Sequence, residues 1–186
     1  IPVRVLKGAY SGTKYLGDNP ANPIIEVAAG YHHCVALAAD GTVYGFGNNA
    51  NGELGDLTTT NRNLPVRMTK GLYTGTSFIG DNPNNPIIDI EAGLYHTLAL
   101  ATDGTVYSVG YNAFGQLGDN TGTSRTSPVR VLEGLYNGNT FLGDNPSNPI
   151  ISISSGLYHS MALAANGGVY TFGYNFNGQL GDNTST

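Results

Sequence analysis

The sequence predicts an all-β fold built from three tandem copies of one four-stranded unit, and three observations carry this. Residues 30–56 recur at 93–119 and again at 156–182, so Gly30, Gly93 and Gly156 stand 63 residues apart; a fixed period of this length marks a repeat array. Each copy holds an Asp-Gly or Asn-Gly step (Asp40-Gly41, Asp103-Gly104, Asn166-Gly167) between two apolar runs, the strongest short-range hairpin signal. Gly and Pro, 27 and 9 residues, recur too often to leave a window of sustained helical periodicity. The repeats are assigned to residues 1–63, 64–126 and 127–186, and none is large enough to bury its apolar face alone.

Each period opens with a predicted short strand, at residues 2–5, 65–68 and 128–131. Its leading proline suits a strand start, and its arginine suits an edge strand, where charge guards the free backbone. A long loop follows at 6–23, 69–86 and 132–149, with the frame Gly-x-Tyr-x-Gly, an aromatic, Gly-Asp-Asn-Pro and Asn-Pro. Turn residues fill it, and its aromatics recur in every copy, so an ordered loop carrying a small extra hairpin is expected. A second strand covers 24–27, 87–90 and 150–153; Ile88 and Ile90 fall on one face and Asp89 on the other. The third and fourth strands flank the Asp-Gly step, for which a type I′ turn is expected. A Gly- and Asn-rich loop closes the period.

Composition removes several functions. The formal net charge is −5 with 8 Lys and Arg in total, so no basic stripe exists to neutralise nucleic-acid phosphates or to hold an anionic membrane. Cys34 is the single cysteine and permits no intrachain disulfide. No apolar run approaches the roughly 18 residues of a spanning helix. Ile1 aligns with Leu64 and Ser127, and the chain is read as a fragment or processed product that begins inside a repeat.

The frame Gly93-x-x-His96-x-x-Ala99-Leu100-x-x-Asp103-Gly104-x-Val106-Tyr107-x-x-Gly110-x-Asn112-x-x-Gly115-Gln116-Leu117-Gly118, followed by Pro128, recurs across the chain. It resembles the regulator of chromosome condensation repeat family. That resemblance implies four-stranded propeller blades set round an axis, here an incomplete propeller or arc unless other chains complete it. The loops at 6–23, 69–86 and 132–149 are longer than the usual family connection. Family members serve as guanine-nucleotide exchange factors, chromatin binders, ubiquitin-ligase accessories and secreted enzyme inhibitors; the acidity of this chain disfavours the chromatin and exchange roles.

His33, His96 and His159 occupy one repeat position. One imidazole per repeat does not supply the three or four ligands of a zinc site, so a structural role bonding the backbone is expected, as for Gly41, Gly104 and Gly167 in the turns. No cofactor is expected, with calcium at the Gly-Asp-Asn loops (Asp18, Asp81, Asp144) as the weaker reading beside turn capping. Glu26 and Asp89 share a position that Ser152 takes in the third copy, which specifies no carboxylate pair for glycoside hydrolysis. No nucleophile elbow, phosphate loop or dinucleotide fingerprint is present, and the chain is read as non-enzymatic. The loop aromatics Tyr10, Tyr73, Tyr136, Tyr111, Tyr174, Phe114 and Phe176 form the candidate interaction surface, beside the reading that they pack each loop against the neighbouring blade.

The expected function is a non-enzymatic module for protein–protein interaction, part of a bacterial surface or secreted protein. One alternative is a self-assembling structural subunit that forms a closed oligomer or filament through its open blade faces. The lesser alternative is a carbohydrate-binding propeller. The protein partner is unspecified; further blades or a homo-oligomer are expected, without nucleic acid or membrane insertion.

Overall fold

In a computed structural model, residues 1–135 and 140–185 are described, and their regular structure is entirely β. Eleven strands form three antiparallel sheets. The first holds β1 (Ile24–Ala29), β2 (His33–Ala38), β3 (Val43–Gly47) and β4 (Arg62–Arg67) in sequential order. The second repeats this as β5 (Ile87–Ala92), β6 (His96–Ala101), β7 (Val106–Gly110) and β8 (Arg125–Arg130). The third holds β9 (Ile150–Ser155), β10 (His159–Ala164) and β11 (Val169–Gly173). The sheets stack in chain order, β2 and β1 against β5, then β6 and β5 against β9, as the resemblance leads one to expect of successive blades.

The opening strand of each period belongs to the sheet before it. Arg67 pairs with Tyr44 and Val66 with Gly45; one period later Arg130 pairs with Tyr107 and Val129 with Ser108. A blade therefore straddles the boundary between periods, and residues 2–5 form no strand, having no preceding sheet among the described residues to pair with. For the same reason the third sheet has three strands rather than the expected four. In blades one and two the strand lies at the sheet edge as expected, so the missing N–H of Pro65 and Pro128 breaks no central ladder. The edge arginines fold over aromatic faces: Arg67 Cζ stands 5.2 Å from the Phe78 ring centroid and Arg130 Cζ 4.9 Å from that of Phe141.

The hairpin turn between β2 and β3, repeated between β6 and β7 and between β10 and β11, differs from a type I′ turn. The Gly41 N–H donates to Ala38 O at 2.9 Å, and the Ala38 N–H donates to Thr42 O at 3.0 Å. Only the glycine takes a left-handed conformation, with φ of +87° at Gly41 and +88° at Gly104 and Gly167. This is a type I turn closed by a glycine bulge. Asp40 is left free to cap it, Oδ1 accepting the Thr42 N–H at 3.0 Å. The long loop does form its small hairpin, bridging Leu6 with Tyr15, Thr69 with Phe78 and Leu132 with Phe141.

The core lies between the sheets. Val35, Leu37 and Val43 of the first blade meet Ile87, Ile90, Ala99 and Ala101 of the second, with Met68 and Ile79 sealing the top. Leu98, Leu100 and Val106 meet Ile150, Ile153, Ala162 and Ala164 of the third in the same way. Along β6, Leu98 and Leu100 face the third blade while Ala99 and Ala101 face the first, as the two-residue side-chain period dictates.

Candidate functional site

The Gly-x-x-His segment and the closing loop of each period meet at one end of the blade. The Tyr111 N–H donates to Tyr95 O at 2.8 Å, and the Tyr174 N–H donates to Tyr158 O at 2.9 Å. Each bond sets two tyrosines side by side at the surface. Rotation from blade two to blade three then brings the pairs together: Tyr158 lies 6.3 Å from Tyr95 and 5.2 Å from Phe114, ring centroid to ring centroid. Phe114 continues to Tyr174 at 4.9 Å, and Tyr174 to Phe176 at 5.3 Å. The contacts of Phe114 with Tyr158 and Tyr174 are edge-on, the geometry that aromatic quadrupoles favour, and those of Tyr158 with Tyr95 and of Tyr174 with Phe176 are tilted.

This face has six rings: Tyr95, Tyr111, Phe114, Tyr158, Tyr174 and Phe176. Phe114 and Phe176 are exposed and the tyrosines half-buried. Tyr95 and Tyr158 were not singled out in the sequence, because they stand beside the framework histidine and read as part of its motif. Blade one lacks the pattern: His32 and Asn48 hold the positions of Tyr95 and Tyr111, and Tyr31 meets His32 edge-on at 4.3 Å. The face is confined to blades two and three.

The loops beneath the rings are fixed by buried amides. Asn112 Nδ2 donates to Asp119 Oδ1 at 2.8 Å and to Thr121 O at 2.9 Å, while its Oδ1 accepts the Leu117 N–H at 2.9 Å. Asp119 is paired with Arg125 at 2.6 Å. Burial opposes ionisation of Asp119, but bonds from Thr121, Arg125 and Asn112 outweigh it and hold the carboxyl below its usual range. Asn49, Asp56 and Arg62 repeat the arrangement in blade one.

Two of the other loop tyrosines are not surface groups. Tyr10 and Tyr73 are buried, packed edge-on against Tyr44 and Tyr107 at 5.5 Å. Their hydroxyls donate to the carbonyls of Asn22 and Asn85. The mini-hairpin folds each ring under the Asn-Pro turn, so these tyrosines anchor the long loop to the blade. Tyr136 lies outside the described residues.

The histidines bolt one blade to the next. His33 Nε2 lies 3.0 Å from Thr97 Oγ1, whose own hydroxyl donates to Glu53 O at 2.8 Å. His96 Nε2 lies 3.0 Å from Ser160 Oγ, which donates to Gln116 O at 2.9 Å. With each hydroxyl proton committed to a carbonyl, the imidazole must be the donor, and Nδ1 carries no proton. Burial first, then the neighbouring imidazoles of His33 and His159, lowers the His96 pKa to about 3. His159 is half-buried in the third blade.

The carboxylates of the Gly-Asp-Asn loops face donors. Asp18 accepts the N–H groups of Thr13, Lys14 and Tyr15 at 2.8–2.9 Å and the Thr13 hydroxyl at 2.7 Å. These bonds, that from Tyr15 foremost, hold it well below the usual carboxylate range. Turn capping is what this arrangement does; a calcium ion at Asp18 has to displace four hydrogen bonds. Glu26 and Asp89 do come together across the junction of blades one and two. Burial and then the Asp89 charge push Glu26 up to about 7. Asp89 Oδ2 accepts the Ile153 N–H at 3.2 Å, which ties it into the inter-blade framework.

Comparison with known proteins agrees with the repeat architecture. The Regulator of chromosome condensation (RCC1) repeat matches residues 40–100 and 103–163, and a second model of that repeat matches 24–53, 87–116 and 150–179. The probable E3 ubiquitin-protein ligase HERC4 of Homo sapiens is 32% identical over 163 residues, which is 88% of this chain and 13% of that protein. Human WBSCR16 superposes with a TM-score of 0.72 at 26% identity, covering 93% of this chain and 40% of its own. Prp20p of Saccharomyces cerevisiae, a structure described together with its binding to Gsp1p and histones, gives a TM-score of 0.63 at 25% identity over 87% of this chain and 35% of its own. The chain thus spans a small part of these relatives. On the repeat matches and the three stacked sheets, the chain belongs to the Regulator of chromosome condensation (RCC1) repeat family.

Proposed function

We propose that this chain is a non-enzymatic protein-interaction module that binds its partner through the six-ring face on blades two and three. The observation that carries the reading is the continuity of that face. Rings from loops 63 residues apart in sequence meet at the surface, on loops held by Asn112, Asp119 and Arg125 in blade two and by Asn175 and Asp182 in blade three. Rigid aromatic area with a polar rim is what protein interfaces favour, because little side-chain entropy is lost on binding. The carboxylates Asp18, Asp56, Asp81 and Asp119 are occupied by loop donors, which leaves them poorly placed to act as acid, base or nucleophile. Binding of Prp20p to Gsp1p and histones supports protein recognition as a use of such repeats. An extracellular or cell-surface setting in bacteria is proposed with it.

The test is capture of partners from source material by the wild-type protein and by Phe114→Ser with Phe176→Ser. Both rings are exposed, so the double variant is expected to fold normally and to lose at least about tenfold in affinity, as loss of interface aromatic anchors does. Unchanged capture sinks the aromatic face. Glycan binding that depends on the same two rings transfers the face to a carbohydrate ligand.

A further inference from the structure

Three tyrosines of the aromatic face form a triangle across the junction of blades two and three. Tyr111 stands 6.2 Å from both Tyr95 and Tyr158, and Tyr95 stands 6.3 Å from Tyr158, ring centroid to ring centroid. Their planes are inclined to one another by 49° to 74°, so the rings are not stacked. A small group seated over the centre lies within the roughly 6 Å of a cation–π contact from all three. Phe114, 6.1 Å from Tyr111 and 5.2 Å from Tyr158, adds a fourth ring on one side. The three tyrosines are half-buried, and no described residue hydrogen-bonds to their hydroxyls. Burial, then the phenols of Tyr95 and Tyr111, push the Tyr158 hydroxyl up, so the group stays neutral and its oxygen remains a free acceptor.

The chain keeps its own cations away from this place. All 8 lysines and arginines lie outside the Gly-x-x-His segments and the closing loops, and those loops contain Glu53, Asp56, Asp119 and Asp182. Elsewhere the chain puts arginines on rings as a rule. Arg4 Cζ lies 4.1 Å from the Tyr15 centroid; Arg67 Cζ lies 5.2 Å from Phe78 and 5.9 Å from Tyr44; Arg130 Cζ lies 4.9 Å from Phe141 and 6.0 Å from Tyr107. Among the described residues no lysine or arginine stands over a ring of the face.

We propose that the Tyr95, Tyr111 and Tyr158 triangle receives an arginine side chain of the protein partner. This rests on the reading of the face as a protein-binding surface and names the chemistry that it selects. A guanidinium is planar and weakly hydrated, so it can lie on one ring while its N–H groups donate to hydroxyls at the rim. An apolar side chain in the same place desolvates the hydroxyls and gives them no partner. An acidic side chain meets no cation there and approaches a chain of net charge −5.

The experiment titrates the wild-type protein with acetyl-Gly-Arg-Gly-amide, and with the same peptide carrying citrulline, its neutral isostere, following the tyrosine ring resonances by NMR. The arginine peptide is expected to bind at least about fivefold more tightly, with shifts centred on Tyr95, Tyr111 and Tyr158. Tyr111→Asn gives blade two the residue that blade one has in Asn48, so the fold is expected to survive while the preference drops below about twofold. Tyr158→Phe keeps the ring and should retain most of the preference; Tyr158→Leu should not. Equal binding of the two peptides overturns the proposal. So does a preference reported by resonances elsewhere on the surface, or one that survives both Tyr111→Asn and Tyr158→Leu. A proline-rich peptide or an oligosaccharide that shifts the three tyrosines where the arginine peptide does not also overturns it. Capture lost with Phe114→Ser and Phe176→Ser while the two peptides bind equally leaves the interaction face standing without its arginine, so the two readings fail separately.

Discussion

Nε2 of His96 and Oγ of Ser160 lie 3.0 Å apart although 64 residues separate them. The same bond joins His33 to Thr97. The hydroxyl is both acceptor from the imidazole and donor to a carbonyl of the blade behind it, so one oxygen ties together a junction in which both partners are buried.

Ser160→Ala leaves the His96 N–H without a partner and is expected to cost about 1–3 kcal/mol, the penalty of a buried unsatisfied donor. Ser160→Thr keeps the hydroxyl, as Thr97 does, and should cost well under half as much. Urea unfolding of the two variants measures the difference; equal losses mean that the hydroxyl contributes only volume.

The buried neutral imidazole of His96 makes stability depend on acid. Its folded pKa is about 3 against an ordinary 6.5. Between these values the unfolded chain binds a proton that the folded chain does not, so stability is complete above about 6.5 and falls as pH drops toward 3. The expected loss is on the order of a few kcal/mol, read from thermal melts across that window. His96→Gln should flatten this slope while lowering stability near neutrality.

Glu26 works in the other direction. Its folded pKa of about 7 exceeds the ordinary 4.5, so the folded chain holds the extra proton over that window and stability falls as pH rises through it. Glu26→Gln removes the repulsion with Asp89. It should stabilise the protein by about 1 kcal/mol at pH near 8, after discounting for solvent screening of this partly exposed group, and do nothing near pH 4. Stabilisation of equal size at both values contradicts a charge effect.

Two equivalent glycines should respond differently to alanine. Gly104 and Gly167 share a φ of +88°, but a Cβ on Gly104 comes within 2.5 Å of Pro149 Cβ, while one on Gly167 meets nothing within 4 Å. Gly167→Ala is expected to cost about 1 kcal/mol of backbone strain. Gly104→Ala adds about 1–3 kcal/mol of overpacking. The turn strains alike in both blades; the difference is Pro149 of the following period, which packs on Gly104 and has no counterpart against Gly167 among the described residues.

The period and the four-strand unit were legible in the sequence because each rests on local spacing, whereas His33 and His96, expected to bond the backbone, bond the hydroxyls of Thr97 and Ser160 one period on, a contact that local spacing does not encode. The aromatic face was legible in part. Tyr111, Phe114, Tyr174 and Phe176 stood out as loop aromatics, but their grouping with Tyr95 and Tyr158 depends on the rotation between blades, which no local pattern encodes. Tyr10 and Tyr73, named among the candidate surface rings, take the other course that the sequence left open and pack against the blade. A loop tyrosine bonded to a backbone carbonyl and one exposed to solvent have the same neighbours in sequence. The hairpin turn was read as type I′ because Asp-Gly serves both geometries; the bulge shows only in the bonds between Ala38, Gly41 and Thr42.

Because each complete sheet takes its last strand from the following period, every internal junction is made of residues at the same offsets, 63 apart. Duplication or loss of one whole period, wherever the cut falls, therefore regenerates the same joints with no misfit to repair. The number of blades is a quantity that gene slippage can change in single steps, and the array can lengthen or shorten without passing through a misfolded intermediate sequence.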